Sequence, residues 1–455
     1  MNDRESEENN SESNTSATRR LLLTMGTAGL ASLAGCTDLI SDTREEGPNE
    51  SADSTDGRSP PEGGEDQINI TEAGADPSGE TPIDSVMSDI VSDDASIYFP
   101  PGEYKLGQLS GRFQNLTLRG NNATILPEDR SSLWKLIDLQ GPGNIIDGFV
   151  FDYREAELPP EIRITGPDKW AFKNCTFRGV QQTNLPHRGG FALLPAVTIE
   201  DGSGLVQNVY LHEGSAPPDG GDTRGGIWFG ASNKGTLRID GVWMESWAEN
   251  TIYGHNSPGK VIIENSFFRN SNVAGTRIGG NTILRNNTYM KTGPVPKQTH
   301  PERSGQLMRG VWITGGGRPY GSNGSVLITD CDFVFLDENH GDASIQLRDP
   351  IEGPLKIKNC RIRQDFDQAI AIDASSPVSI ENVQISGDTT APALEIDSEA
   401  TIQNISGTVA TSGPVSNRSD VINKLSSRFV EYPAPDPPAN LSKPAGADAL
   451  PKQIE

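Results

Sequence analysis

The chain has 455 residues, with 62 Asp and Glu against 38 Lys and Arg and a formal net charge of −24. A surface this acidic repels nucleic acid and anionic membranes, which sets both aside as partners; it also matches the solvation style of proteins from salt-loving organisms. The 49 Gly and 32 Pro call for many turns, and the length suits two or three domains or one elongated repeat domain.

At the N-terminus, Arg19 and Arg20 precede Leu21, Leu22, Leu23 and a mildly apolar stretch to Ala34. The stretch is too short and Gly-rich for a membrane span. A twin-Arg pair in front of it resembles a Tat export signal. Leu33-Ala34-Gly35-Cys36 resembles a lipobox, in which Cys36 is lipidated and becomes the new N-terminus. Residues 37 to 66 are Asp, Glu, Ser, Gly and Pro with almost no apolar content, the composition of a disordered tether. The expected organisation is a signal over 1–35, an acidic tether over 36–66, a folded domain over 67–410, and a C-terminal cap and Pro-rich tail over 411–455. That describes an extracellular, cell-surface monomer whose only tie to the membrane is its lipid anchor.

Next comes "ITEAGADPSGETPIDSVMSDIV", followed by "IYFPPGEYKLG". Thr81 is placed to N-cap a helix with Pro82 at its first position. Ile83, Val86, Met87, Ile90 and Val91 then form one apolar stripe. From there a unit of the form apolar-x-apolar-x-Asn-x-x-apolar repeats along the chain. Its corner positions are Gly120, Gly148, Asn174, Asn208, Gly241, Asn265, Asn286, Asp330, Asn359, Asn382 and Asn404. The steps run from 21 residues (Asn265 to Asn286) to 44 (Asn286 to Asp330). Each copy alternates with period two, bends, and alternates again, so it reads as strand, corner, strand. Asn suits the corner because it tolerates the left-handed region and bonds neighbouring backbone. Stacked at about 4.8 Å per layer, such units build a solenoid.

The Gly-Ala-Asp-Pro turn, the helix after it and the Tyr-Phe-Pro-Pro-Gly-x-Tyr corner resemble the N-terminal cap of the pectin-lyase-like right-handed parallel β-helix family. The resemblance covers residues 67 to 410 and implies an all-β, single-stranded parallel β-helix whose capping helix plugs the open end. Members of that family include lyases, hydrolases and epimerases of acidic polysaccharides.

Cys175, Cys331 and Cys360 each follow a corner and are expected to point inward as buried thiols. Cys331 and Cys360 fall in consecutive copies, so a disulfide between them is geometrically allowed. Between corners runs one further strand per turn, with copies GIWFG (226–230), TIYGH (251–255), GTRIG (275–279), GVWIT (310–314), SIQLR (344–348) and AIAID (369–373). Period two puts Trp228, Tyr253, Arg277, Trp312, Gln346 and Ala371 in one outward column. A second column holds Gly230, His255, Gly279, Thr314, Arg348 and Asp373. Small residues before the first column (Gly226, Thr251, Gly275, Gly310, Ser344) suggest a trough beside it. Aromatics exposed side by side on a sheet ask for a ligand, and their faces suit sugar rings. Long insertions precede the same central strands, where loops could wall the trough. Lys291, Lys297, His300, Arg303, Arg309 and Arg318, against the single acid Glu302, form a basic island near Arg277 and Arg348.

Trough, aromatics and cations together point to an acidic polysaccharide, and the resemblance makes a polysaccharide lyase the first reading. A lyase needs a cation on the substrate carboxylate, a base for the α-proton and an acid for the leaving oxygen. Arg277 is the natural clamp. His255 and Tyr253 are the acid and base candidates, within about 5 to 8 Å of Arg277 by rung geometry. Trp228, Trp312, Arg309 and Arg348 are the substrate-binding candidates. Family lyases often use calcium, but no acidic cluster in the trough asks for it, so no metal or other cofactor is assigned. A hydrolase normally needs two carboxyl groups, which only Glu249 and Asp222 could supply, and only if loops bring them in. A surface adhesin or glycan-binding protein would use the same aromatics without chemistry.

Overall fold

The computed structural model describes residues 67–128, 135–156, 159–181, 190–215, 224–296, 308–315, 319–336, 343–387, 391–407, 411–412 and 415–416. The export signal, Cys36, the acidic tether and all of the expected C-terminal cap and tail but 411–412 and 415–416 lie outside these residues, as do Lys297, His300, Glu302, Arg303, Arg318 and Asp222.

Each repeat pairs in register with the next, and always in parallel. Val261–Glu264 pairs with Thr282–Arg285, which pairs with Val326–Thr329, then Leu355–Lys358 and Val378–Glu381. The described strands collect into one 22-stranded and one 12-stranded sheet. The winding is a right-handed parallel β-helix with its apolar residues inside.

The corners show why Asn recurs. Every corner position named above except Gly120 has positive φ, from 51° at Asn208, Asn286 and Asn359 to 83° at Gly148. In the Gly120 copy the ladder shifts between Arg119 and Ala123, and Asn122 takes the left-handed conformation instead. The corner side chains then bond along the axis. Asn208 Nδ2 donates to Asn174 Oδ1 at 3.0 Å, and Asn286 Nδ2 donates to Asn265 Oδ1 at 2.7 Å. Asn382 and Asn404 continue the ladder from Asn359. Where Gly148 or Gly241 holds the corner, the preceding acid accepts the bond: Asp147 from Asn174, Asp240 from Asn265. A left-handed residue with a Cβ costs roughly 1–2 kcal/mol, and each ladder bond contributes about 0.5–1.5 kcal/mol. Asn265→Ala forfeits both, whereas Asn265→Gly forfeits only the bonds. Asn265 makes two such bonds, so the expected losses are about 2–5 kcal/mol for Ala and about 1–3 kcal/mol for Gly by urea denaturation. Equal losses would show that backbone strain plays no part.

Inside, Phe268, Tyr289 and Phe333 stack rung on rung, with centroids 5.0 Å apart in both steps and interplanar angles of 15° and 9°. The three described cysteines are buried and unpaired with one another by a disulfide. Burial pushes the Cys175 thiol up to about 12 and holds the Cys331 thiol well above its ordinary value, so both stay protonated.

The capping helix starts later than its sequence suggests. It runs Asp84–Ile90 with Ile83 as its N-cap, while Pro82 ends the strand Ser78–Pro82. Thr81 is drawn away because its N–H donates to Asp76 Oδ2 at 2.9 Å. Asp84 ties the helix down by accepting from the Gly107 and Gln108 amides. Ile83 and Met87 are buried over the core, with Val86, Ile90 and Val91 packed at its edge. Bonds from the Ser78 hydroxyl, the Ser78 amide and the Thr81 amide hold the Asp76 carboxyl at about 2. Because this folded-state value is depressed, the stabilisation from Asp76 is present above its unfolded value near 3.8 and is lost as pH falls through about 2. Wild type is therefore expected to outlast Asp76→Asn in denaturant at neutral pH, with the gap closing below about pH 3. A gap that persists unchanged at low pH would contradict this.

Candidate functional site

The candidate site residues fall on the outer face of the 12-stranded sheet. Its central strands are Gly225–Trp228, Ile252–Gly254, Val273–Ile278, Met308–Ile313, Ile345–Leu347 and Ile370–Ile372. Their register aligns Ile227, Ile252, Thr276, Val311, Ile345 and Ile370 on the core side. It aligns Trp228, Tyr253, Arg277, Trp312, Gln346 and Ala371 on the outer side, the column expected from the period of two.

The column of small residues does not form a trough. A Cβ on Gly226 would lie 2.2 Å from Met244 Cε, on Gly275 2.7 Å from Tyr289 Cδ1, and on Gly310 2.7 Å from Phe333 Cδ1. These positions face the core, each beside a second inward residue (Ile227, Thr276 and Val311). They are small because core side chains, Met244 at Gly226 and the aromatic ladder at Gly275 and Gly310, occupy the space beside them.

Arg277 sits between the rings of the rungs before and after it. Its Cζ is 4.9 Å from the Tyr253 centroid and 4.1 Å from that of Trp312, and its Nε donates to Thr314 Oγ1 at 3.3 Å. Cation–π contact on both sides fixes the guanidinium plane, so its N–H groups radiate in one known plane. His255 stacks on Tyr253 with centroids 4.8 Å apart and an interplanar angle of 25°. The two acid–base candidates thus form one unit next to Arg277. Trp228 is 36% exposed, the most open ring of the column.

Arg309 and Arg348 have different places. Arg309 is only 6% exposed. Its Nε donates to Gln346 Oε1 at 2.7 Å and its Cζ lies 4.2 Å from the Trp312 centroid. It braces Trp312 rather than facing solvent. Arg348 is exposed in the second column, two rungs beyond Arg277. Lys291, the other described member of the basic island, is buried. Glu249 is half-buried, with Oε1 accepting from the Asn250 side chain at 2.5 Å.

Three outward residues escaped the sequence reading. Phe191 lies 6.3 Å from Trp228 and 5.8 Å from Tyr253, ring to ring. Glu395 and Asp397 extend the two columns past Ala371 and Asp373 through the short strand Leu394–Ile396. The "ALEID" at 393–397, an echo of "AIAID" at 369–373, was the available signal. Among the described residues, no group of three His, Cys, Asp or Glu side chains is placed to hold a metal ion.

No protein-family model matches the chain, and no curated protein does. Solved structures do. The catalytic unit of an α-1,3-glucanase from Streptomyces thermodiastaticus is 14% identical, with a TM-score of 0.53 over 79% of this chain and 67% of that one. A surface adhesin of Streptococcus pneumoniae is 12% identical, with a TM-score of 0.48 over 72% of this chain and 91% of its own. A family 28 exopolygalacturonase of Yersinia enterocolitica is 13% identical, with a TM-score of 0.42 over 77% and 78%. At these identities the likeness to the glucanase shows the shared parallel β-helix fold and no more.

Proposed function

We propose that the outer face of the 12-stranded sheet binds an acidic polysaccharide and that the chain cleaves it by β-elimination at a uronate. The observation that carries this reading is Arg277 held between Tyr253 and Trp312, with His255 stacked beside it. The fixed guanidinium plane suits bidentate recognition of a carboxylate. Neutralising that carboxylate acidifies the α-proton and stabilises the enolate that its removal creates. His255 or Tyr253 takes that proton, the C4–O bond breaks, a C4=C5 double bond forms, and the leaving oxygen accepts a proton. Trp228 and Arg348 bind neighbouring sugars, one by its ring and one by its charge. Trp312 orients Arg277, with Arg309 behind it. An extracellular polymer as substrate agrees with export through the Arg19-Arg20 signal and lipid attachment at Cys36.

Hydrolysis is the second reading. One feature favours it: Asp373, Glu395 and Asp397 sit on two consecutive rungs of the same face, and a glycosidase needs two carboxyl groups. They begin three rungs past Arg277, about 14 Å away at the usual strand spacing. Product analysis separates the readings. Incubation with pectate, alginate and sulfated uronans in high salt is expected to release unsaturated uronates, seen by ultraviolet absorbance. New reducing ends without absorbance would assign hydrolysis, and binding without either product would assign a glycan-binding protein.

A further inference from the structure

Arg224 is a cation with no role in the chemistry above, yet it is 2% exposed, beside Gln181 at 1% and Glu161 at 4%. Burying a charge is costly unless its donors are used, and Arg224 spends its donors on three partners, the Phe191 backbone among them. Its Nε donates to Gln181 Oε1 at 2.8 Å, and its Nη2 donates to the Pro160 and Phe191 carbonyls, both at 3.1 Å. The amide of Phe191 donates to Glu161 Oε1 at 3.2 Å. Both polar groups of the Phe191 backbone are therefore held by buried, oppositely charged side chains. Burial pulls the guanidinium below its ordinary value, and the charge of Glu161 opposes that pull. The Phe191 ring then lies over Gly225, where a Cβ would come within 2.3 Å of Phe191 Cε1. From there it reaches Trp228 and Tyr253.

We infer that Phe191 is a third ring of the sugar-binding platform and that Arg224, with Glu161, is the positioning residue that sets its angle against Trp228 and Tyr253. The sugar-binding half rests on the reading of this face as a glycan site; the positioning half does not. A ring held this way, in contact with both Trp228 and Tyr253, gives a sugar stacked on Trp228 a preformed surface to meet.

The test uses Phe191→Leu, Arg224→Lys and the double variant. One readout needs no ligand: acrylamide quenching of Trp228, obtained by difference from Trp228→Phe in each background. The other is the affinity for polyuronate. Both single variants are expected to raise quenching of Trp228 and to weaken binding roughly 3- to 10-fold, the scale of one aromatic contact. The double variant is expected to bind no worse than Phe191→Leu, because Arg224 acts through that ring. Should Arg224→Lys not fold, Gln181→Ala withdraws the acceptor of Arg224 Nε and is expected to move both readouts the same way. Unchanged quenching in the Arg224 and Gln181 variants, or losses that multiply in the double variant, would overturn the positioning role. Normal quenching shifts in a protein that binds no polysaccharide would overturn the glycan platform and leave the positioning role standing.

Discussion

Arg277→Ala is expected to lower kcat/KM on a polyuronate by about 100- to 1,000-fold, the usual effect of removing one preorganised donor from a developing anion. The loss should fall mainly on kcat. The guanidinium meets a carboxylate in both ground state and transition state, but charge builds there only as the α-proton leaves. Arg277→Lys should rescue little. An ammonium keeps the charge but lacks the planar fork and the flat surface that fits between Tyr253 and Trp312. His255→Ala should also abolish turnover while leaving affinity within a few-fold, provided His255 rather than Tyr253 moves the proton. A weakening of binding with kcat intact in Arg277→Ala would make this residue an anchor for substrate and remove it from the chemistry.

The largest effect on stability is expected at Phe333, where truncation to Ala should cost about 3–5 kcal/mol in urea denaturation. Its ring is fully buried and stacked 5.0 Å from Tyr289. The residue facing it from the strand Met308–Ile313 is Gly310, which has no side chain to move into the space. A cavity that cannot collapse costs the upper part of the range. The effect should reach the site, because Gly310 lies two residues before Trp312, whose ring braces Arg277. Phe333→Leu, which keeps most of the volume, should cost far less. A loss below about 1 kcal/mol for Phe333→Ala would mean that the inner ladder does not hold these rungs together.

The sequence carries the rungs clearly because a solenoid writes the same local rule many times. Period two fixes which residues of each strand face out, so Trp228, Tyr253, Arg277 and Trp312 fall into line without knowledge of any contact. Corners are legible for the same reason, since Asn and Gly mark positive φ. Two kinds of feature leave no such mark. In three central strands of the 12-stranded sheet two successive residues both face the core: Gly226 and Ile227, Gly275 and Thr276, Gly310 and Val311. Alternation cannot report a doubled inward step, so by sequence alone the small column reads as an outer trough. Long-range contacts are the second kind. Nothing local to Arg309 says that Gln346 of the next rung will bind it, or that it will be buried under Trp312. Phe191 likewise joins the column from a strand that follows a long insertion, outside the register counted from Gly226.

The helix start shows a local rule overruled by a neighbour. Thr81 and Pro82 have the right identities for a cap and a first turn, but Asp76 captures the Thr81 amide and keeps both residues extended.

The central claim, that this face holds an acidic glycan chain, is tested most directly by titrating the wild-type protein with a polyuronate and with a neutral glucan of equal length, following tryptophan fluorescence. The account predicts a saturable change with the polyuronate that weakens as salt rises, persists within a few-fold of the wild-type affinity in Arg277→Ala, and is greatly reduced in Trp228→Phe. No saturable change with any uronate, or an equal and salt-independent response to the neutral glucan, would contradict it.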